Sequence, residues 1–104
     1  MNNDILDRLL QFAINVILFL RKKTEEYLVI KRQLIKSSTS SGTNYEEALR
    51  GSRRADFTNK VRISLKEIRA CNYWLKAING TQTQEELKSE CQILFKESLE
   101  LKKI

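Results

Sequence analysis

The stretch from Ser37 to Phe57 reads SSTSSGTNYEEALRGSRRADF, and its interpretation decides the fold. Six of its first seven residues are Ser or Thr, whose side chains offer the backbone competing hydrogen bonds and favour turns. Local propensity therefore predicts a loop that extends to Thr43. The apolar pattern predicts a helix instead, because bulky side chains resume at Tyr45 and Leu49 in the register set before the stretch.

A helix with this register runs from about Thr24 to Arg50, with Gly51 as its C-terminal cap. One stripe along it is Tyr27, Ile30, Leu34, Ser37, Ser41, Asn44 and Ala48, and a seven-residue spacing links Leu28, Ile35, Gly42 and Leu49. A loop has no reason to preserve these spacings, so we expect the small side chains to lie where another helix packs closely. The polar Asn44 on this face must find hydrogen bonds, which we expect to fix the register of the bundle. A loop over residues 37–43 remains the alternative interpretation.

Three further helices are predicted around this one. They extend from Asn3 or Asp4 to about Arg21–Lys23, from an N-cap at Ser52 to Asn79–Gly80, and from a capping box at Thr83–Glu86 to a fraying tail at Leu101–Ile104. The expected core positions are Ile5, Leu9, Phe12, Val16 and Phe19 of the first helix, Phe57, Val61, Ser64, Ile68, Cys71, Leu75 and Ile78 of the third, and Leu87, Cys91, Leu94, Ser98 and Leu101 of the fourth. Four amphipathic helices with short connections predict an all-α, antiparallel up-down-up-down four-helix bundle, with residues 1–104 as a single domain.

Positive charge is concentrated in the middle of the chain. The sequence carries 19 Lys and Arg against 13 Asp and Glu, and fourteen of the basic residues lie between positions 21 and 76. A basic surface attracts polyanions, so nucleic acid or an acidic partner is expected to bind it. The candidate nucleic-acid-binding residues are Arg50, Arg53, Arg54, Lys60, Arg62, Lys66 and Arg69. The alternative is a solvated face that only maintains solubility.

The residue inventory argues against catalysis. The chain has no His, so neither a Ser-His nor a Cys-His pair can form, and it has no Gly-rich phosphate loop. Cys71 and Cys91 lack a metal-ligand spacing and fall on apolar stripes, where we expect core packing. Glu47 and Asp56 can be read as a carboxylate pair, but we prefer a structural ion pair of Glu47 with Arg50 or a neighbouring helix, and a helix N-terminal charge at Asp56. We therefore predict that the protein is not an enzyme and has no cofactor and no small-molecule substrate.

The sequence predicts neither a membrane span nor secretion. The most apolar run, Leu9–Leu20, is too short to cross a bilayer and is interrupted by Gln11 and Asn15. The first four residues, MNND, lack the basic character of a signal peptide, so the protein is expected in the cytoplasm.

Apolar residues exceed what one small bundle can bury, which predicts self-association. The first and third helices each carry two adjacent apolar stripes. The second stripe of the first helix is Leu6, Leu10, Ala13, Ile17 and Leu20. Tyr73 and Trp74 can stack on nucleic-acid bases, but aromatic residues at helical spacing more often belong to a core or a subunit interface, which is the preferred interpretation.

The order of several short motifs resembles one bacterial protein family. The run SGTNYEEA at residues 41–48, followed by Asp56-Phe57, Lys60, Lys66-Glu67 and Tyr73-Trp74-Leu75, is similar to the four-helix-bundle proteins encoded in intervening sequences of 23S ribosomal RNA genes, also called S23 ribosomal proteins. The accessory variability protein of diversity-generating retroelements is similar to this family. The resemblance covers nearly the whole chain, and the motifs in this order are more specific than any of them alone.

The resemblance implies a ring-shaped homo-oligomer, usually a pentamer, with a basic surface. In the retroelement relative, that surface implies contacts with a reverse transcriptase and with nucleic acid. The present chain departs from that relative in its acidic fourth helix. The leading hypothesis is a non-enzymatic, homo-oligomeric binding protein that engages ribosomal RNA, retroelement RNA or DNA, or a nucleoprotein partner. The alternative is a structural or protein-interaction adaptor without a nucleic-acid role.

Overall fold

Four α-helices pack around a common core in the part of the chain that the structure describes. The structure, a computed structural model, describes residues 4–22, 28–51 and 53–103. The helices are α1 (Asp4–Lys22), α2 (Leu28–Arg50), α3 (Arg54–Thr81) and α4 (Glu85–Leu101). These residues contain no strand, and the bundle measures 47 × 24 × 19 Å. The predicted all-α four-helix bundle is confirmed.

Contacts between the helices fix their relative directions. Residues 41 and 47 of α2 meet residues 64 and 60 of α3, so the two helices run in opposite senses. The same reversal relates residues 72 and 75 of α3 to residues 98 and 91 of α4. It also relates residues 8 and 22 of α1 to residues 97 and 90 of α4. Each helix packs against two neighbours, and α1 and α3 lie diagonally opposite each other.

The Ser-rich stretch lies inside α2, so the loop interpretation of residues 37–43 is wrong. Ser37, Ser38 and Ser41 are buried, and each hydroxyl donates to a carbonyl one turn earlier in the same helix, at 2.7 to 3.1 Å. The carbonyl of Ser41 accepts a 2.7 Å hydrogen bond from Ser64 Oγ of α3. A bond from so short a side chain to the opposite backbone requires that α2 and α3 approach closely. Small residues therefore occupy α2 where α3 packs against it, as the register predicts.

Asn44 satisfies its amide within its own helix. Its Nδ2 donates to the carbonyl and the hydroxyl oxygens of Ser40, at 2.8 and 3.2 Å. The Ser40 hydroxyl in turn donates to Glu67 Oε2 of α3 at 3.2 Å. The prediction that Asn44 fixes the register is therefore corrected. Among the hydrogen bonds of the described residues, those of Asn44 connect to α3 through Ser40, whereas Ser64 makes a direct hydrogen bond to the backbone of α2.

The buried faces follow the predicted stripes. The apolar core is formed by Leu9, Phe12, Val16, Phe19, Leu20, Leu34, Ile68, Cys71, Leu75, Ile78, Leu87, Cys91, Leu94 and Leu101. Cys71 and Cys91 are both buried, as predicted, and burial raises the pKa of the Cys71 thiol to about 12. Phe57 is an exception to the predicted core. It is 42% exposed, because residues 53–59 are all exposed and the core does not extend to this end of α3.

The ends of α2 and α3 differ in part from the prediction. Ser52 and the predicted start of the second helix at residues 24–27 lie outside the described residues. Arg53 occupies the N-cap position of α3 and makes no side-chain cap hydrogen bond. Asp56 lies in the first turn, as predicted. The helix continues through Gly80 to Thr81, because Gly80 does not adopt the positive φ of a C-terminal glycine cap.

The predicted capping box of the fourth helix is wrong. α4 begins at Glu85, and its N-cap position is held by Gln84, which makes no side-chain cap hydrogen bond. The buried Gln82 organises the connection instead, since its Oε1 accepts the backbone N–H groups of Thr83 and Gln84 at 3.1 and 3.0 Å. At the other end, Leu101 is buried in the core rather than frayed.

Candidate nucleic-acid interface

One face of α3 carries a row of exposed side chains. The row consists of Arg62, Lys66, Arg69, Tyr73 and Lys76, spaced by four, three, four and three residues. At 3.6 residues per turn this spacing keeps all five on one side of the helix, which we call the α3 row. None of its four cations has a carboxylate oxygen within 4.0 Å among the described residues.

Part of the acidity of α4 is neutralised by α1. α4 contains five acidic and two basic residues. Glu97 Oε1 accepts a hydrogen bond from Arg8 Nη2 at 3.0 Å, and Glu90 Oε1 accepts one from Lys22 Nζ at 2.7 Å. These hydrogen bonds raise the pKa of both basic groups. Two carboxylates of the acidic helix are therefore committed to the α1–α4 contact, on the side of the bundle away from α2 and α3.

Two of the predicted binding residues form ion pairs at the α2–α3 corner. Lys60 Nζ lies 2.7 Å from Glu47 Oε1, and Arg50 Nη2 lies 3.6 Å from Glu46 Oε2. The expected ion pair of Glu47 is thus made with the neighbouring helix rather than with Arg50. Both pairs are solvent-accessible, and such pairs are worth roughly 0–1 kcal/mol. They nevertheless reduce the positive charge that these two residues present to a ligand.

The seven predicted binding residues therefore fall into three groups. Arg62, Lys66 and Arg69 lie together in the α3 row. Arg53 and Arg54 are exposed at the start of α3, and neither has a carboxylate within 4.0 Å in the described ranges. Eight residues, about 12 Å of helix, separate Arg54 from Arg62. The remaining two are the paired cations of the corner.

The sequence-based set of binding residues lacks Lys76 and Tyr73. Lys76 follows Arg69 by seven residues. This spacing keeps both residues on one side of α3 and could have identified Lys76 as a binding residue from the sequence. Tyr73, expected in a core or a subunit interface, is 65% exposed within the subunit, so the core interpretation is wrong for this residue. Trp74 is only partly buried but packs against the core. The two rings meet edge to face, with centroids 5.4 Å apart and an interplanar angle of 81°.

The chemistry of this surface is that of charge and stacking. The Cys, Asp and Glu side chains of the described residues form no group of three or more that could hold a metal ion. No described helix is both long and apolar enough to cross a bilayer. The α3 row offers one exposed aromatic ring and cations that have no carboxylate within 4.0 Å among the described residues, a combination suited to phosphate groups and bases.

Comparison with known proteins identifies the family. The family model for the 23S rRNA-intervening sequence protein matches residues 1–104. The crystal structure of a protein of unknown function from the S23 ribosomal protein family of Bacteroides thetaiotaomicron is similar to this chain, with 32% identity and a TM-score of 0.81 over 95% of this chain and 92% of that chain. Among curated proteins, none matches the chain. The whole-length family match and the shared fold show that this chain belongs to the 23S rRNA-intervening sequence protein family.

Proposed function

We propose that this protein is a non-enzymatic, homo-oligomeric protein that binds nucleic acid through the α3 row and the neighbouring Arg53 and Arg54. The observation that carries the proposal is the lack, among the described residues, of any carboxylate within 4.0 Å of the row's cations. On a face that serves solubility alone, charges of both signs are normally interspersed. α3 instead has six basic and two acidic residues, and one of its carboxylates, Glu67, accepts a hydrogen bond from α2.

The geometry of the row suits a chain of phosphate groups. From Arg62 to Lys76 the row spans 14 residues, about 21 Å of helix. This length corresponds to about six nucleotides of a strand whose bases are stacked as in a duplex, at 3.4 Å per nucleotide. Cations that contact phosphates release condensed counterions, so the affinity is expected to fall steeply as salt is added. Such contacts recognise the class of ligand rather than one sequence.

The family supports the choice of ligand. Its name links it to 23S ribosomal RNA. The proposed ligands are accordingly ribosomal RNA, retroelement RNA or DNA, or a nucleoprotein such as a complex that contains a reverse transcriptase. A protein with these ligands is expected to act in the cytoplasm.

Self-association is proposed to use the outer face of α1. Leu10, Ile14 and Leu18 are exposed there, and Leu10 is 59% exposed. An apolar groove of about 340 Å³ lies between α1 and α2, and its lining includes Gly42 and other small residues of α2. Grouped exposed apolar side chains favour a protein partner, and we propose a second copy of the chain, repeated around a ring to give a pentamer. Because α1 and α3 are diagonal in the bundle, contacts through this face of α1 do not themselves cover the α3 row.

Nucleic-acid binding is tested with a fluorescently labelled single-stranded RNA in an anisotropy titration at low salt. Replacing Arg62 and Arg69 by Gln is expected to weaken binding, because two phosphate contacts are lost. Replacing Lys88 and Lys96 of α4 by Gln removes the same net charge elsewhere and is the matched control. Equal losses in both double variants, or no binding by the wild type, would contradict the proposal.

The second candidate function is that of a protein-interaction adaptor, and the exposed apolar face of α1 is the observation that favours it. Light scattering at micromolar concentration measures the mass of the protein in solution. It therefore shows whether this face binds a second copy of the chain or is left for another protein. For a homo-oligomer, Leu10→Glu is expected to lower the mass towards that of a monomer, whereas Gln11→Glu at the next exposed position is not. A monomeric wild type that also fails to bind RNA at low salt would favour the adaptor.

A further inference from the structure

We propose that Tyr73 is a base-stacking residue and that the ligand of the α3 row is single-stranded nucleic acid. This inference rests on the proposed function. It adds the strand class of the ligand and a contact residue that positive charge alone does not identify.

The position and support of the Tyr73 ring carry the first part of the inference. Tyr73 lies in the row between Arg69 and Lys76, and its side chain is 65% exposed. Leaving an aromatic ring in water forgoes the free energy of burying it, and among the described residues the Tyr73 ring meets one other aromatic ring, that of Trp74, edge to face. That edge-to-face contact, with ring centroids 5.4 Å apart, restrains the ring. A ring restrained before binding loses less conformational entropy when a ligand stacks on it.

The geometry favours a single strand over a duplex. In a duplex each base is stacked on its neighbours, so its face is reached only by flipping the nucleotide out. A single strand presents base faces directly, and stacking on an aromatic ring tolerates any sequence because every base has a π-face. Along the helix axis Arg69 lies about 6 Å from Tyr73 and Lys76 about 4.5 Å on the other side. Cations on both sides of the ring can therefore hold the phosphates that flank one stacked base.

The surroundings of Tyr73 keep this part of the surface positive. On α3 the carboxylate closest in sequence is that of Glu67, which accepts a hydrogen bond from Ser40 and so is directed towards α2. On α4, Glu90 and Glu97 are paired with cations of α1. A negatively charged strand along the α3 row therefore meets cations and the Tyr73 ring.

The test compares Tyr73→Leu and Tyr73→Phe in binding to a labelled single-stranded RNA and to a duplex of the same sequence. Tyr73→Leu is expected to weaken single-strand binding about 5- to 150-fold, the range for one stacked base. Tyr73→Phe retains the ring and is expected to bind like the wild type. Phe57→Leu, at an exposed aromatic residue on another face of α3, is the matched control and should leave the affinity unchanged. The duplex is expected to bind more weakly and to be insensitive to Tyr73→Leu.

The fluorescence of Trp74, the chain's single Trp, provides a second readout. A base stacked on Tyr73 is expected to quench it in the wild type but not in Tyr73→Leu. Equal affinity of the wild type and Tyr73→Leu, with the duplex bound as tightly as the single strand, overturns this inference. In that case the proposed function is still supported if the double variant Arg62→Gln, Arg69→Gln binds RNA more weakly than the wild type. If the wild type binds neither single-stranded nor duplex RNA, both the inference and the proposed function are refuted. A lower oligomer mass for Tyr73→Leu would assign the ring to a contact between copies and would also overturn the inference.

Discussion

Replacing Ser41 by Leu tests how closely α2 packs against α3. Ser41 is fully buried, and its carbonyl accepts a 2.7 Å hydrogen bond from Ser64 Oγ. A Leu side chain is too large for a site that a hydroxymethyl group fills, so the helices must separate or the new side chain must be strained. Overpacking costs about 1–3 kcal/mol, and loss of the Ser64 bond adds about 1 kcal/mol. The expected loss of unfolding free energy is therefore about 2–4 kcal/mol.

Chemical denaturation followed by circular dichroism measures this loss. Ser41→Ala keeps the side chain small and is expected to change the free energy of unfolding by no more than about 1 kcal/mol, the worth of one hydrogen bond. Thr43→Leu adds an apolar side chain to the same helix at an exposed position and is expected to be within about 0.5 kcal/mol of the wild type. If Ser41→Leu were as stable as Thr43→Leu, the reasoning that small residues allow α3 to pack against this stretch would be refuted.

Three further predictions concern the core and the stability of α2. Asn72→Ala is expected to lower the free energy of unfolding by about 1 kcal/mol, because the 3.0 Å hydrogen bond from Nδ2 to Ser98 Oγ is lost; unchanged denaturation would contradict this. Gly42→Ala is expected to raise the free energy of unfolding by about 0.5–1 kcal/mol, because an added Cβ meets Leu9 Cβ at an ordinary contact distance of 3.8 Å. A destabilised variant would contradict this and show that the site has less space. Above pH 9 the free energy of unfolding should fall by up to about 1.4 kcal/mol per pH unit, because the Cys71 thiol stays protonated in the folded protein while the unfolded thiol ionises. The folded pKa is about 12, against a usual 9.0. Cys71→Ala should remove this part of the pH dependence, and a variant with the same pH dependence as the wild type would contradict the prediction.

The buried faces were predictable from the sequence because periodicity reports on a helix as a whole. Leu34, Ser37, Ser41 and Ala48 are buried at the spacing that the register predicts, although local propensity favours a loop. The hydroxyls that make Ser a poor helix former bond back to the carbonyls of α2, so the competing tendency is satisfied inside the helix. Packing against α3 then outweighs the weak local preference.

Side-chain partners were less predictable because they depend on rotation and spacing between helices. The pattern left two partners open for Glu47, and only the packed bundle selects Lys60. The capping box at Thr83 satisfied a local rule, but the side chain of the buried Gln82 accepts the Thr83 backbone N–H that Glu86 would accept in a capping box. Tyr73 shows the same limit for the candidate site. Its spacing places it on α3 but does not reveal whether a neighbouring helix covers that face.

The salt dependence of the affinity for a single-stranded RNA tests nucleic-acid binding by the α3 row most directly. The logarithm of the wild-type association constant is predicted to fall linearly with the logarithm of salt concentration. Replacing Arg62 and Arg69 by Gln should reduce the slope by about 1.4, or about 0.7 for each lost phosphate contact on a single strand. Replacing Lys88 and Lys96 should leave the slope unchanged. An unchanged slope in the first variant, or no binding by the wild type at about 50 mM salt, would contradict the claim that this face of α3 binds nucleic acid.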